Sequence, residues 1–130
     1  MKVLITDGSI EIIERLQQAL CETEHVSAVY GSVSYRDGYS FFRDIKPSVM
    51  LIDSRLADNE CERLVKDARS LNDNTNIIVL LNGEDKHQQE KLLALGATRL
   101  MDKYHDFENI PGVVNRIAAE IKEARTNGTI

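Results

Sequence analysis

The chain is poor in the residues that build cross-linked or metal-stapled scaffolds. It has only two cysteines, Cys21 and Cys61, with no paired spacing and no histidine or cysteine cluster beside them. That excludes a disulfide framework and leaves a zinc site without ligands at a usual spacing. The two thiols are read as isolated and buried. With 2 Pro and 7 Gly, neither a disordered tract nor a fibrous repeat is indicated. No apolar run approaches the roughly 18 residues of a membrane span, and the first apolar stretch reaches Asp7 too soon for a signal peptide. Positive charge is also short: 16 Lys and Arg against 21 Asp and Glu give a formal charge of -5. A surface of that sign repels phosphate backbones and anionic lipid heads. Direct nucleic-acid and membrane contact are disfavoured, and a reducing cytoplasm is the expected home.

What the chain does contain is enough for one soluble core: 130 residues, 42% hydrophobic and 28% charged. Continuous apolar runs at Val3 to Thr6, Val26 to Tyr30, Val49 to Ile52 and Ile77 to Leu81 predict strands buried on both faces. Between them the spacing turns helical: Ile13, Leu16 and Leu20; then Phe41, Phe42 and Ile45, read as core packing; then Cys61, Leu64, Val65, Ala68 and Leu71. A fourth helix is expected over Gln88 to Leu95, ended by Gly96 in a left-handed conformation. A short fifth strand at Thr98 to Met101 follows, then a helix from Pro111 with Val113, Val114, Ile117, Ile121 and Ala124 on one side. Strict alternation implies an α/β fold: a doubly wound, five-stranded parallel sheet in three layers, with right-handed crossovers. The expected domain covers residues 1–125, with a tail at 126–130 and no output domain.

In such a sheet, ligands bind beyond the carboxyl ends of the strands. There the chain places Asp7, Asp53, then Leu81 with Asn82, and finally Asp102 with Lys103. Two carboxylates and an ammonium at one edge suit a divalent cation and a phosphoryl group, and a carboxylate can itself become an acyl phosphate. No Gly-rich phosphate loop of the Walker or dinucleotide type is present. His25, His87 and His105 lie in unrelated segments and are read as surface residues.

Four stretches, in order and spanning nearly the whole chain, resemble the receiver domain of two-component response regulators. They are Lys2 to Asp7, Lys46-Pro47-Ser48-Val49-Met50-Leu51-Ile52-Asp53, Ile77 to Leu81, and Gly96 to Lys103. The resemblance implies a flavodoxin-like (CheY-like) strand order 2-1-3-4-5. It implies that Asp53 accepts phosphate from a kinase phosphohistidine. Asp7, Asp53 and the backbone carbonyl of Arg55 would hold Mg²⁺, and Lys103 would contact the phosphate and pair with Asp53 beforehand. The implied partners are a sensor histidine kinase or phosphotransfer protein and a downstream target. Helix 4, strand 5 and helix 5, with Lys86, Gln89, Lys91, Arg99 and Tyr104, would be the target face or a homodimer face. A receiver is more a switch than a turnover enzyme.

The chain also departs from the receiver pattern. Gly8 stands where a second acid usually follows Asp7, so Mg²⁺ affinity is expected to fall with ligand charge; Ser9 and Glu11 are the nearby substitutes. Leu81 replaces the switch Thr or Ser, and Leu100 replaces the switch aromatic. The loop after Asp53 lacks the usual Pro and Gly. Tyr104 replaces the proline after Lys103, so no cis bond is expected there. Arg55 is read either as screening the site or pairing with the acids, or as a solvated surface arginine. Two functions follow as expectations: a stand-alone receiver phosphorylated on Asp53, or a degenerate pseudo-receiver that binds partners without phosphate. A small hydrolytic or phosphotransfer enzyme is disfavoured, because no base, nucleophile pair or substrate loop accompanies the acids.

Overall fold

The computed structural model describes residues 1–126. Strands β1 (Lys2–Thr6), β2 (Ala28–Ser32), β3 (Val49–Asp53), β4 (Asn76–Leu81) and β5 (Arg99–Asp102) alternate with helices α1 (Ile10–Cys21), α2 (Tyr35–Ile45), α3 (Glu60–Leu71), α4 (Lys86–Leu95) and α5 (Ile110–Thr126). All pairings are parallel and the order is β2-β1-β3-β4-β5, as expected. Of the tail expected at 126–130, Thr126 ends α5 and 127–130 lie outside the described residues.

Successive side chains of a strand point to opposite faces, so each continuous apolar run feeds two cores. Leu4, Met50, Ile52, Ile77 and Val79 meet Phe42 of α2, Leu64, Val65 and Ala68 of α3, and Leu92 of α4. Val3, Ile5, Val49, Leu51, Ile78 and Leu80 meet Ile13, Leu16 and Leu20 of α1, and Ile110, Val114 and Ile117 of α5. Each fully buried Leu, Ile or Val contributes about 1.5–3 kcal/mol, which makes the three layers self-supporting. Side-chain caps turn the chain into helix soon after a strand ends: Ser9 accepts from the Ile12 N–H, Ser34 from the Asp37 N–H, and Asp85 forms a capping box with Gln88. Short loops at the carboxyl edge of the sheet are the result.

Several expectations are corrected. β2 begins at Ala28, not Val26, because Val26 closes a turn onto the Thr23 carbonyl and the Ser27 N–H goes to the Met1 carbonyl. It runs on through Gly31 to Ser32 and is only partly buried, as an edge strand beside β1. β5 starts one residue later, since the Thr98 hydroxyl is used by the Ile77 N–H and by Arg69. α4 starts at Lys86, two residues earlier, set by the Asp85 cap. On α2 Phe42 is buried and Ile45 packs partly against the core, whereas Phe41 is 39% exposed and lies tilted beside Tyr30. Cys21, at the last turn of α1, is exposed, whereas Cys61 is buried; burial pushes the Cys61 thiol up to about 12. Gly96 does cap α4 with φ +126°.

One glycine brings α2 against the sheet. A Cβ on Gly38 would sit 2.7 Å from Thr6 Oγ1, so a larger residue would push α2 away from β1. Thr6 Oγ1 in turn lies 2.8 Å from Ser32 Oγ, and the Asp7 N–H donates to the Ser32 carbonyl. The end of β1 is thereby fixed where Asp7 emerges.

Candidate functional site

Asp7, Asp53 and Lys103 follow or end β1, β3 and β5, and the sheet brings them together. Lys103 Nζ is 2.7 Å from Asp7 Oδ2 and 3.4 Å from Asp53 Oδ1. All three are buried: Asp7 is 1% exposed, Asp53 6% and Lys103 4%. The backbone orients both acids, since the Ser9 N–H donates to Asp7 Oδ1 and the Arg55 N–H to Asp53 Oδ1. Lys103 is placed by its own N–H, which donates to the Leu81 carbonyl and extends the β4 pairing past β5. The expected pairing of Lys103 with Asp53 is present, but its closer contact is with Asp7.

Two carboxylates share one ammonium, leaving a formal excess of one negative charge in a buried pocket. Burial, aided by the Asp53 charge, holds the Asp7 carboxyl above its ordinary 3.8, although Lys103 and the Ser9 N–H pull the other way. For Lys103, burial alone would lower the ammonium below 10.5; its hydrogen bond to Asp7 and the charges of Asp53 and Asp7 more than offset that and raise it. The pocket therefore favours added positive charge. Asp7 Oδ2 is shut off from solvent and has the Lys103 ammonium as its polar neighbour. These hard oxygens suit a cation such as Mg²⁺, which commonly takes one or two carboxylates with phosphate oxygens and water. No group of three or more acids, histidines or cysteines is placed to hold a metal among the described residues.

Gly8 is exposed, and nothing lies within 4 Å of where its Cβ would be. Neither proposed substitute for the missing acid is drawn into the pocket: Ser9 is spent on capping α1, and Glu11 is exposed on its first turn. Asp102 belongs to a different unit. Its Oδ1 accepts from the Tyr104 and His105 N–H groups, which hold its carboxyl below 3.8. Leu81 is buried in the core under α2, α3 and α4, and Leu100 packs against that core. No cis peptide occurs among the described residues.

Arg55 does not pair with the buried acids. Its guanidinium donates to the Asn82 carbonyl from Nε at 3.1 Å and Nη2 at 2.7 Å, and Nε lies 3.0 Å from Glu84 Oε2. Glu84 Oε1 also accepts from Ser54 Oγ at 2.9 Å and from the Asn82 N–H at 2.6 Å. The loops after β3 and β4 are thus clasped beside the pocket. Glu84 and Ser54 escaped the sequence reading; the only hint was an acid directly after Gly83. The loop after β3 reaches α3 through Asp58 and Asn59, both with left-handed φ, where the usual glycine is absent. On the α4, β5 and α5 face, Lys91 pairs with Glu62 of α3 and Gln89 donates to the Glu84 carbonyl, while Lys86 and Tyr104 are exposed.

No protein-family model matches the chain, and no curated protein sequence matches it. Solved structures do. A two-component response regulator from Clostridium difficile superposes with a TM-score of 0.83 at 17% identity, covering 93% of this chain and 98% of its own. The signal receiver domain of a DNA-binding response regulator from Colwellia psychrerythraea 34H gives 0.82 at 17%, covering 92% and 98%. The response regulator domain of Thermotoga maritima CheB gives 0.75 at 18%, covering 90% and 92%. These likenesses establish that the chain has the response-regulator receiver fold, as its resemblance implied. No helix of the described residues is long and apolar enough to cross a membrane.

Proposed function

We propose that the chain is a receiver in two-component signalling that accepts a phosphoryl group on Asp53. The observation that carries this reading is the Lys103 ammonium held between Asp7 and Asp53 in a buried pocket at the carboxyl edge. In the proposed step an Asp53 carboxylate oxygen attacks the phosphorus of a phosphohistidine on a sensor kinase or phosphotransfer protein. The O–P bond forms as the N–P bond breaks, and the departing imidazole nitrogen takes up a proton. Water later cleaves the acyl phosphate to inorganic phosphate and the carboxylate. The Arg55 N–H orients the carboxylate, and Lys103 offsets the charge of the incoming oxygens. Mg²⁺ would be held by Asp7, Asp53 and the backbone carbonyl of Arg55, and it would supply further charge neutralisation. With Gly8 in place of an acid its affinity is expected to be reduced. The output is a protein contact, with the α4, β5 and α5 face as target or homodimer surface; the domain acts as a switch and not as a turnover enzyme.

The second reading is a pseudo-receiver that binds its partner without phosphate. It is favoured by Leu81 and Leu100, which put apolar core at both switch positions. Acetyl phosphate with Mg²⁺, followed by intact-mass measurement, separates the two. The first reading expects a gain of one phosphoryl group that Asp53→Asn abolishes. No gain from acetyl phosphate or from a histidine kinase would leave the second.

A further inference from the structure

A receiver without a hydroxyl at Leu81 needs another way to register the phosphoryl group, and this inference rests on the phosphoacceptor reading of Asp53. We propose that Arg55 does so: its guanidinium, held by Glu84 before phosphorylation, exchanges that carboxylate for the phosphoryl oxygens on Asp53 and so frees the loop between β4 and α4.

The starting position suits the exchange. The Arg55 N–H is 3.0 Å from Asp53 Oδ1, so the side chain is rooted beside the acceptor. Its guanidinium reaches the residue that follows Leu81, at the end of the strand paired with β3. Two cations are thus available near Asp53. Lys103 is buried and already lies between two carboxylates, whereas the Arg55 side chain is 60% exposed and can swing without opening the core.

Charge sets the direction. A phosphoryl group carries nearly two negative charges and a set of acceptor oxygens that match the planar guanidinium fork, so it competes well against a single carboxylate. Glu84 tolerates the loss, because its other oxygen keeps the Ser54 hydroxyl and the Asn82 N–H. The Asn82 carbonyl and Glu84 Oε2 lose their tie to Arg55, leaving the Ser54 hydroxyl as the side-chain link from Glu84 to the loop after β3.

Beryllium trifluoride, a non-transferring phosphoryl stand-in, tests this on the full chain with Mg²⁺, its binding followed by ¹⁹F NMR. Wild type is expected to bind and Asp53→Asn not to. Arg55→Ala should bind at least tenfold more weakly, with Arg55→Lys between the two. Glu84→Gln should bind several-fold more tightly, because the competing charge is gone. Opposite shifts for Arg55→Ala and Glu84→Gln are the signature, since a merely structural clasp would move both the same way. Arg55→Ala within twofold of wild type, or Glu84→Gln weakened alongside it, overturns the exchange while leaving Asp53 as acceptor. Failure of wild type to bind overturns the acceptor reading and this inference with it. Amide exchange at residues 82–85 should speed up on binding; unchanged exchange there overturns the loop release.

Discussion

Two charged clusters lie side by side at the carboxyl edge of the sheet and differ mainly in the exposure of their cations: the Lys103 side chain is 6% exposed and that of Arg55 60%. Asp7, Asp53 and Lys103 are almost wholly enclosed, and their charges do not balance. Ser54, Arg55, Asn82 and Glu84 form a balanced clasp whose guanidinium is largely solvated. Coulomb energy at a given separation grows as the effective dielectric falls, so similar contacts carry different weight in the two places. The enclosed cluster should act as a fixed reservoir of negative charge waiting for a cation or phosphoryl group. The clasp should act as a reversible fastener that opens on its solvated Arg55 side, while the Glu84 carboxylate stays largely enclosed with the Ser54 hydroxyl and the Asn82 N–H.

The largest expected effect comes from the enclosed side. Lys103→Met strands two buried carboxylates and should cost about 3–5 kcal/mol by urea denaturation. The Lys103 pKa in the fold lies above 10.5, so its contribution is fully present below that pH and is lost as pH rises through the folded value. The gap between wild type and Lys103→Met should therefore persist through neutral pH and narrow in alkali. Next, Gly8→Asp has room for its side chain and sets a further carboxylate next to Asp7 at the end of β1. Mg²⁺ affinity, read by titration calorimetry, should rise roughly tenfold as ligand charge increases.

Asp7→Asn should sharpen the contrast in the other direction. The Asp7 pKa is raised in the fold above 3.8, so ionised Asp7 destabilises the fold at neutral pH; that penalty shrinks as pH falls through the folded value and is gone below 3.8. The variant should be more stable than wild type by about 1 kcal/mol near pH 7, a gain typical of a neutralised functional site, and the advantage should shrink in acid. The smallest effect belongs to the clasp. Arg55→Ala should cost about 1 kcal/mol, because the guanidinium is solvated and the 9%-exposed Glu84 carboxylate it leaves keeps the Ser54 hydroxyl and the Asn82 N–H, and added salt should erase part of it. A large, salt-insensitive loss would mean that the two clusters are not different in kind.

The sequence was informative where one physical constraint acts along the chain. Parallel strands buried on both faces read as unbroken apolar runs, so β1, β3 and β4 were legible, with Asp7 and Asp53 at the ends of the first two; the strand order and the role of Lys103 after β5 came from the receiver resemblance. It was less informative at edges, where burial is partial. β2 is half solvated and its apolar run began in a turn, and on α2 the adjacent Phe41 and Phe42 cannot both face the sheet. The clasp was illegible for a different reason. Glu84 and Ser54 meet only because two loops end at neighbouring strands, and nothing in either loop alone shows which polar groups the other will offer.

The position of Lys103 has a kinetic consequence. It follows the edge strand β5, while Asp7 follows β1, with β4 and β3 between them, so the ion pair crosses three interstrand gaps, roughly 14 Å of sheet. It joins the first strand of the chain to the last, a closure that has to wait for long-range pairing. Such a contact is expected to form after the folding barrier. Removing it should quicken unfolding and leave the refolding rate nearly unchanged, which makes this lysine a brake on the opening of the sheet.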